Sequence, residues 1–175
     1  QYDNATGNLV FDDKNNNNIK DIASFDGEFS FRTKQRSFLF TEYKKGFFKS
    51  NNGVTHAIAR KGESSLAAAK RFKVPYKRFL RFNDLKDGDQ LIAYQPIYIF
   101  AKKANYRGKE AFFRVERDET MYEIAQHFGI KLSALLYKNR MSEGEEPANG
   151  ALILLKNRAA KKPKLRPVGH VDAQP

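Results

Sequence analysis

Hydrophobic and polar residues follow an order that predicts short strands and short helices. Apolar and polar residues alternate over 56–60 and 113–117, which is typical of half-buried strands. After each strand and a polar turn, apolar residues recur at three-residue steps, as at Leu66, Ala69 and Phe72, and so share one helix face. A second helix and a last strand complete each unit, over 75–82 and 97–100 in one case and 132–138 and 152–155 in the other.

This unit of strand, helix, helix and strand occurs twice in the chain. When the sequence is displaced by 56 residues, 55–100 falls on 111–156 without a gap. Identical residues then coincide along the whole unit, in the pairs Glu63 and Glu119, Ala69 and Ala125, Phe72 and Phe128, Leu80 and Leu136, Asn83 and Asn139, Gly88 and Gly144, and Ile97 and Ile153. A repeat of this length indicates two copies of one small fold.

Local signals mark the helix ends in both copies. Ser64 and Thr120 are suited to cap the first helix, because a hydroxyl can accept from its free N–H groups. Gly129 is a strong helix stop in the second copy. The second helix should end near Asn83 or Asn139, a residue that tolerates the left-handed conformation.

The repeated motif resembles the LysM domain, a βααβ module that binds glycans containing N-acetylglucosamine. The second copy carries the pattern in Phe113, Val115, Glu119, Thr120, Met121, Ile124, Ala125, Phe128, Ile130, Leu135, Asn139, Gly150, Ile153 and Leu155. The first copy carries it in Ala57, Ala59, Gly62, Glu63, Ser64, Ala69, Phe72, Val74, Phe79, Asn83, Gln95, Ile97 and Ile99. The arrangement is also similar to the paired LysM region at the C-terminus of bacterial cell-wall glucosaminidases.

The fold class expected from this resemblance is α+β, with two βααβ LysM-like modules in tandem after a β-rich N-terminal segment. The expected domains are a segment over 1–54, module 1 over 55–101, a linker over 102–111, module 2 over 112–156 and a basic flexible tail over 157–175. Alternating residues near 28–32 and 37–43 predict strands or a hairpin in the first segment.

The resemblance also implies a glycan groove between the strand-to-helix turn and the loop after the second helix. In that family, backbone N–H and C=O groups hydrogen-bond the acetamido groups of the sugar. The implied wall residues are Gly62, Glu63, Ser64, Ser65, Leu85 and Lys86 in module 1, and Asp118, Glu119, Thr120, Met121, Met141 and Ser142 in module 2. Asp118 and Tyr94 stand where the family has glycine, and Ser65 where it has leucine, which predicts weakened glycan affinity. Capping alone would also account for Ser64 and Thr120.

One candidate metal site precedes the repeats. Oxygen-bearing residues recur with the spacing of a calcium loop, and Ile19 would supply a backbone carbonyl; the ligand set is Asp13, Asn15, Asn17, Ile19 and Asp21. Asn18 replaces the usual glycine and Ser24 the usual bidentate glutamate. An asparagine-rich turn is the alternative. No other cofactor is predicted.

The charge of the chain favours anionic partners. Its 175 residues include 32 Lys and Arg against 20 Asp and Glu, a net charge of +12, and six cations without an acid lie in 156–166. Peptidoglycan, an anionic membrane surface and nucleic acid all fit this charge. Nucleic acid is the less favoured partner because no RNA- or DNA-binding signature occurs. There is no cysteine, and no apolar run is long enough to cross a membrane.

Two functions remain open at this stage. The first is non-catalytic binding of peptidoglycan glycan strands in the periplasm or cell wall; no catalytic motif is present, and the three histidines are scattered. The second is a periplasmic scaffold or accessory subunit of an outer-membrane protein complex, with degenerate LysM modules making protein contacts. The chain starts at Gln1 without a leader, as expected for a processed chain or for part of a longer one.

Overall fold

The computed structural model describes residues 48–167. Its strands are β1 (Phe48–Asn51), β2 (Val54–Ile58), β3 (Pro96–Tyr98), β4 (Phe112–Arg114) and β5 (Leu152–Leu154). Its helices are α1 (Ser65–Arg71), α2 (Tyr76–Phe82), α3 (Met121–Phe128) and α4 (Leu132–Lys138). The proposed calcium loop at Asp13, Asn15, Asn17, Ile19 and Asp21 and the proposed strands near 28–43 lie outside the described residues.

The two βααβ units predicted from the repeat are confirmed. In module 1, β2 pairs antiparallel with β3, with Ala57 opposite Ile97. In module 2, β4 pairs antiparallel with β5, with Phe113 opposite Ile153, the same positions one repeat later. Strand β1 adds a third strand to the first sheet through an Asn52-Gly53 turn, where both residues have positive φ. Asn-Gly is the residue pair favoured at such a two-residue hairpin.

The two modules share their backbone conformation even where their residues differ. Five repeat positions have positive φ in both copies, in the pairs Gly62 and Asp118, Lys73 and Gly129, Asp84 and Arg140, Gly88 and Gly144, and Tyr94 and Gly150. Asp118 and Tyr94 therefore keep the conformation that glycine holds at the matching position. The two departures from the family glycines change the side chain and leave the course of the turn intact.

The second helix ends at Asn83 and Asn139, as predicted, but neither asparagine adopts the left-handed conformation that this residue tolerates. Their φ angles are −106° and −97°. Asn139 is buried, and its Nδ2 donates to Leu135 O at 2.9 Å and to Leu154 O at 3.0 Å, while its Oδ1 accepts from Leu154 N at 2.8 Å. Asn83 makes the matching bonds with Phe79 and Tyr98. The asparagine thus fastens the second helix to the last strand, and the next residue takes the left-handed position.

The modules have separate cores of different size. Module 2 buries Val115, Ile124 and Leu135, and module 1 has Ala59, Ala68 and Phe79 at those repeat positions. The larger phenylalanine partly compensates for the two alanines. Leu66 was expected on the buried face of α1 but is 43% exposed, because the helix turns Ser65, Ala68 and Ala69 inward instead.

A buried polar network joins the modules. Gln126 of α3 donates from Nε2 to Pro96 O at 3.1 Å, and its backbone carbonyl accepts from the Tyr98 hydroxyl at 2.6 Å. Lys102 is completely buried, donates to Gln126 Oε1 and lies 2.7 Å from Asp84 Oδ2. These contacts fasten β3, the linker and α3 to one another, so the two modules pack as one body in the described structure.

The segment after β5 differs from the solvated tail that its charge predicts. Ala159 is buried and its N–H donates to Lys138 O at 2.7 Å, while Arg140 Nε donates to Ala159 O at the same distance. Leu165 packs against the core of module 2. Two apolar side chains separated by cations are enough to hold this stretch on the module as far as Pro167. None of the helices within residues 48–167 combines the length and apolar character of a membrane span.

Candidate functional site

The strand-to-helix turn is held from inside by a glutamate in both modules. Glu63 Oε2 accepts from Arg60 N and Glu119 Oε2 accepts from Glu116 N, each at 2.9 Å, at matching repeat positions. Glu63 also pairs with Arg71 at 2.6 Å, and Glu119 is only 5% exposed. Both carboxylates, predicted as groove walls, therefore serve the backbone of the turn.

The next residue caps the first helix in both copies, as the sequence predicts. Ser64 Oγ accepts from Ala67 N, and Thr120 Oγ1 accepts from Glu123 N, both at 3.1 Å. The Glu123 carboxylate in turn accepts from Thr120 N at 2.7 Å, which completes a capping box in module 2. Both hydroxyls have a structural role, because they accept hydrogen bonds from helix N–H groups that would otherwise lack partners.

Ser65 and Met121 begin the first helices and are both buried. In module 1 the Ser65 hydroxyl lies 3.1 Å from the hydroxyl of Tyr76, which in turn donates to Asp87 Oδ1 at 2.9 Å. Module 2 has Leu132 at the position of Tyr76, and it packs against the core. Module 1 thus has a small serine and a large tyrosine where module 2 has a methionine and a leucine. This wall is therefore polar in module 1 and apolar in module 2.

The loop after the second helix forms the opposite wall with the same internal bonds in both modules. Lys86 N donates to Asp89 Oδ2 and Ser142 N donates to Glu145 Oε2, each at 2.7 Å. Lys86 and Ser142 are exposed, whereas Met141 is buried and Leu85 is half-buried. The loop therefore presents Lys86 or Ser142 at its surface and turns its apolar residue inward.

The two walls meet at one repeat position that the sequence analysis did not identify. In module 1 the backbone of Gln90 forms a β-bridge with Ser64. In module 2 the carboxylate of Glu146, the matching residue, accepts from Met121 N at 2.6 Å. Burial raises the pKa of Glu146 above its ordinary value. A half-buried glutamate inside a loop of polar residues gives no signal in a single sequence.

Each module joins its turn to the end of its loop, through the backbone bridge of Ser64 with Gln90 and through the bond from Met121 N to Glu146. The groove walls at 62–65 and 85–86 and at 118–121 and 141–142 stay predictions. Module 1 exposes five cations on its two helices and the turn between them, at Lys70, Lys73, Lys77, Arg78 and Arg81. A positive surface suits an anionic polymer. Within residues 48–167 no cluster of three or more metal-binding side chains occurs.

The comparison with protein families agrees with the fold. The model of the LysM domain family matches residues 60–100 and 113–144. Two similar solved structures are spore cortex-lytic enzymes named SleL. That of Bacillus cereus is 17% identical over 59% of this chain and 23% of that chain, with a TM-score of 0.26. That of Bacillus megaterium QM B1551 is 20% identical over 58% of this chain and 22% of that chain, with a TM-score of 0.26.

The chain spans less than a quarter of the length of these two enzymes. No curated protein matches it. LysM domains are binding domains for peptidoglycan and chitin-like glycans and are typically extracellular or associated with the cell wall. The family match falls on the two units that share strand pairing, capping and left-handed positions. Residues 60–100 and 113–144 are therefore two LysM domains in tandem.

Proposed function

We propose that this protein binds peptidoglycan through glycans containing N-acetylglucosamine, without catalysing a reaction, and so anchors itself or an attached assembly to the bacterial cell wall. The observation that carries the proposal is that the turn and the loop, which the family resemblance implies as the walls of a glycan groove, are built with the same internal bonds in both modules. Residues that hold such a groove open from inside leave its backbone surface for a ligand.

The charge of the chain supports a cell-wall polymer as the ligand. Stem peptides of peptidoglycan carry carboxylates, and module 1 exposes cations on α1 and α2. A neutral sugar can bind the groove without any charge on the protein. These cations would therefore raise the affinity for the anionic polymer above the affinity for the free sugar. The proposal places the protein in the periplasm or the cell wall.

Chitotetraose titration followed by amide NMR tests the sugar specificity. We expect shifts at 62–65 and 85–86 and loss of those shifts in Gly62→Phe, because an added side chain at Gly62 points into open space and would fill the groove. Gly144→Phe is the control, since it carries the same left-handed strain in the other module. Unchanged spectra at saturating sugar would contradict the proposal.

A pull-down on purified peptidoglycan against DNA-cellulose at two salt concentrations tests the polymer. Retention on peptidoglycan at the higher salt is expected, whereas binding to DNA falls steeply with salt. Retention on DNA alone would contradict the proposal.

A scaffold in an outer-membrane protein complex is the second candidate function. The sheet of module 2 exposes Phe112 and Leu152, which are 49% and 41% accessible. Apolar side chains of this size on a sheet surface suit a protein contact. The sugar titration separates the two functions, because a scaffold would show no shift in either groove and would co-purify with a membrane protein from native extracts.

A further inference from the structure

A short C-terminal segment, residues 164–166, lies along the loop wall of module 2. Ala148 N donates to Lys164 O at 2.9 Å, and Arg166 N donates to Glu146 O at 2.8 Å. Leu165 forms an antiparallel bridge with Pro147 between these two bonds. The segment is therefore paired with the loop in the manner of an added β-strand.

Arg166 reaches from this loop to the opposite wall of the groove. Its Nη2 donates to Asp118 O at 2.8 Å and lies 3.7 Å from Asp118 Oδ1. The backbone of Arg166 is thus bonded to the loop, at Glu146, while its guanidinium is bonded to the turn. The side chain spans the two walls between which a glycan would lie.

The polar groups that the second groove could offer a sugar are already engaged. The carbonyl of Asp118 accepts from Arg166, and the N–H of Met121 donates to the carboxylate of Glu146. An acetamido group binds through these same kinds of backbone group. A glycan entering this groove would have to compete with residues of the protein itself.

The first groove differs in the residues at these two points. Gly62 stands at the position of Asp118, and Gln90 stands at the position of Glu146 and meets the turn through a backbone bridge with Ser64. Within residues 48–167 no segment crosses from the loop to the turn of module 1 as residues 164–166 do in module 2. The two modules therefore share a backbone and differ in the accessibility of the groove.

One hydrogen-bond donor of Arg166 lacks a partner. Its Nε is buried and has no hydrogen-bond partner in the described part of the structure. A buried donor without a partner carries a desolvation cost, which makes the covered state easier to open. Asp118 is itself exposed, so a sugar can reach the edge of the groove.

We propose that residues 164–166 form an intramolecular cover over the groove of module 2, so that module 1 binds glycan first and module 2 binds only when the segment is displaced. This inference rests on the proposed function. If the cover is closed in 90–99% of molecules, the apparent affinity of the second groove falls about 10- to 100-fold below its intrinsic value.

Chitotetraose titration of three variants tests the cover. Arg166→Ala removes the bond to Asp118, truncation before Pro163 removes the segment, and Lys164→Ala is the control because that side chain is exposed. We expect Arg166→Ala and the truncated chain to gain shifts at 118–121 at about tenfold lower sugar concentration than the native chain. Shifts at 62–65 should be the same in all four proteins.

The outcomes separate the two proposals. Equal shifts at 118–121 in the native and truncated chains would overturn the cover while leaving binding by module 1 intact. Absence of shifts at both grooves in every protein would overturn the proposed function. A folded spectrum of Arg166→Ala with no gain at module 2, beside a gain in the truncated chain, would assign the cover to the backbone pairing of residues 164–166 and overturn the part given to the arginine.

Discussion

Lys102 Nζ lies 2.7 Å from Asp84 Oδ2, and the lysine side chain is fully buried between the two modules. Asp84 also accepts from Leu132 N at 2.8 Å, so one carboxylate serves the linker and module 2 together. Burial lowers the pKa of Lys102, and the neighbouring charge of Asp84 opposes that change. The stability of the junction therefore depends on keeping both partners.

Asp84→Ala should destabilise the protein strongly, because it leaves the buried ammonium of Lys102 without its counter-ion. Removing one partner of a buried ion pair costs about 3–5 kcal/mol of the free energy of unfolding. Urea unfolding measures the change. Glu143→Ala is the control, since the Glu143–Lys86 pair also joins the modules but is exposed, and it should leave the midpoint unchanged. Equal midpoints for both variants would contradict this account.

Asn139→Ala should weaken module 2, because it removes the amide that fastens α4 to β5. The change removes the side-chain acceptor of Leu154 N–H and the side-chain donor to the carbonyls of Leu135 and Leu154. Leaving a buried polar group unsatisfied costs about 1–3 kcal/mol. Thermal unfolding measures the loss, with the exposed Asn157→Ala as the control. A Tm equal to that of the native protein would show that water replaces the amide without cost.

Lys73→Gly should stabilise module 1, unlike most substitutions by glycine. Lys73 is exposed with a φ of 53°, and the matching residue of module 2 is Gly129. Relief of the left-handed strain should raise the free energy of unfolding by about 1–2 kcal/mol. The greater freedom of glycine in the unfolded chain lowers it by about 0.5–1 kcal/mol, so a net gain remains. Lys70→Gly, inside α1, should instead cost about 1 kcal/mol. Chemical unfolding of the two variants should give changes of opposite sign.

The free energy of unfolding should fall as pH decreases below 6.5, because His56 is buried and His127 is half-buried. Burial lowers the pKa of His56, which a backbone hydrogen bond partly opposes, and burial lowers the pKa of His127. Below the ordinary value of 6.5 the unfolded chain takes up these protons before the folded chain does, so protonation favours unfolding.

Denaturation of the native protein and of a His56→Gln, His127→Gln double variant at pH values from 5 to 8 measures this effect. The difference in free energy between the two should be constant from pH 7 to 8 and should change below pH 6.5. A constant difference over the whole range would show that neither histidine is perturbed.

The sequence predicts the repeat well because its signals are local. The caps at Ser64 and Thr120 and the stop at Gly129 depend on residues within one turn of a helix, and all three occur as expected. Asn83 and Asn139 were predicted correctly at the helix ends, but their bonds to the last strands were not predicted, because those strands lie 15 residues further on. A propensity for turns contains no information about such partners.

The candidate site illustrates the same limit. Its wall residues were identified from the family pattern, yet Glu63 and Glu119 turn their carboxylates into the protein. Glu146 and Arg166 carry the most informative contacts in the second groove, but they lie 25 and 48 residues from the groups they bond. A run of cations at the end of a chain is usually solvated, so Arg166 has no local feature that would single it out.

The polar junction around Gln126 has a consequence for how a long, regular polymer is recognised. Two binding sites on a flexible tether can adjust to almost any spacing, whereas two sites fixed in one orientation gain avidity only when the polymer presents its sugars at the matching distance and angle. Glycan strands with a different cross-linking or twist would bind only one of the two sites. The pair of modules would then discriminate between states of the wall by their geometry, even where the chemistry of the sugars is the same.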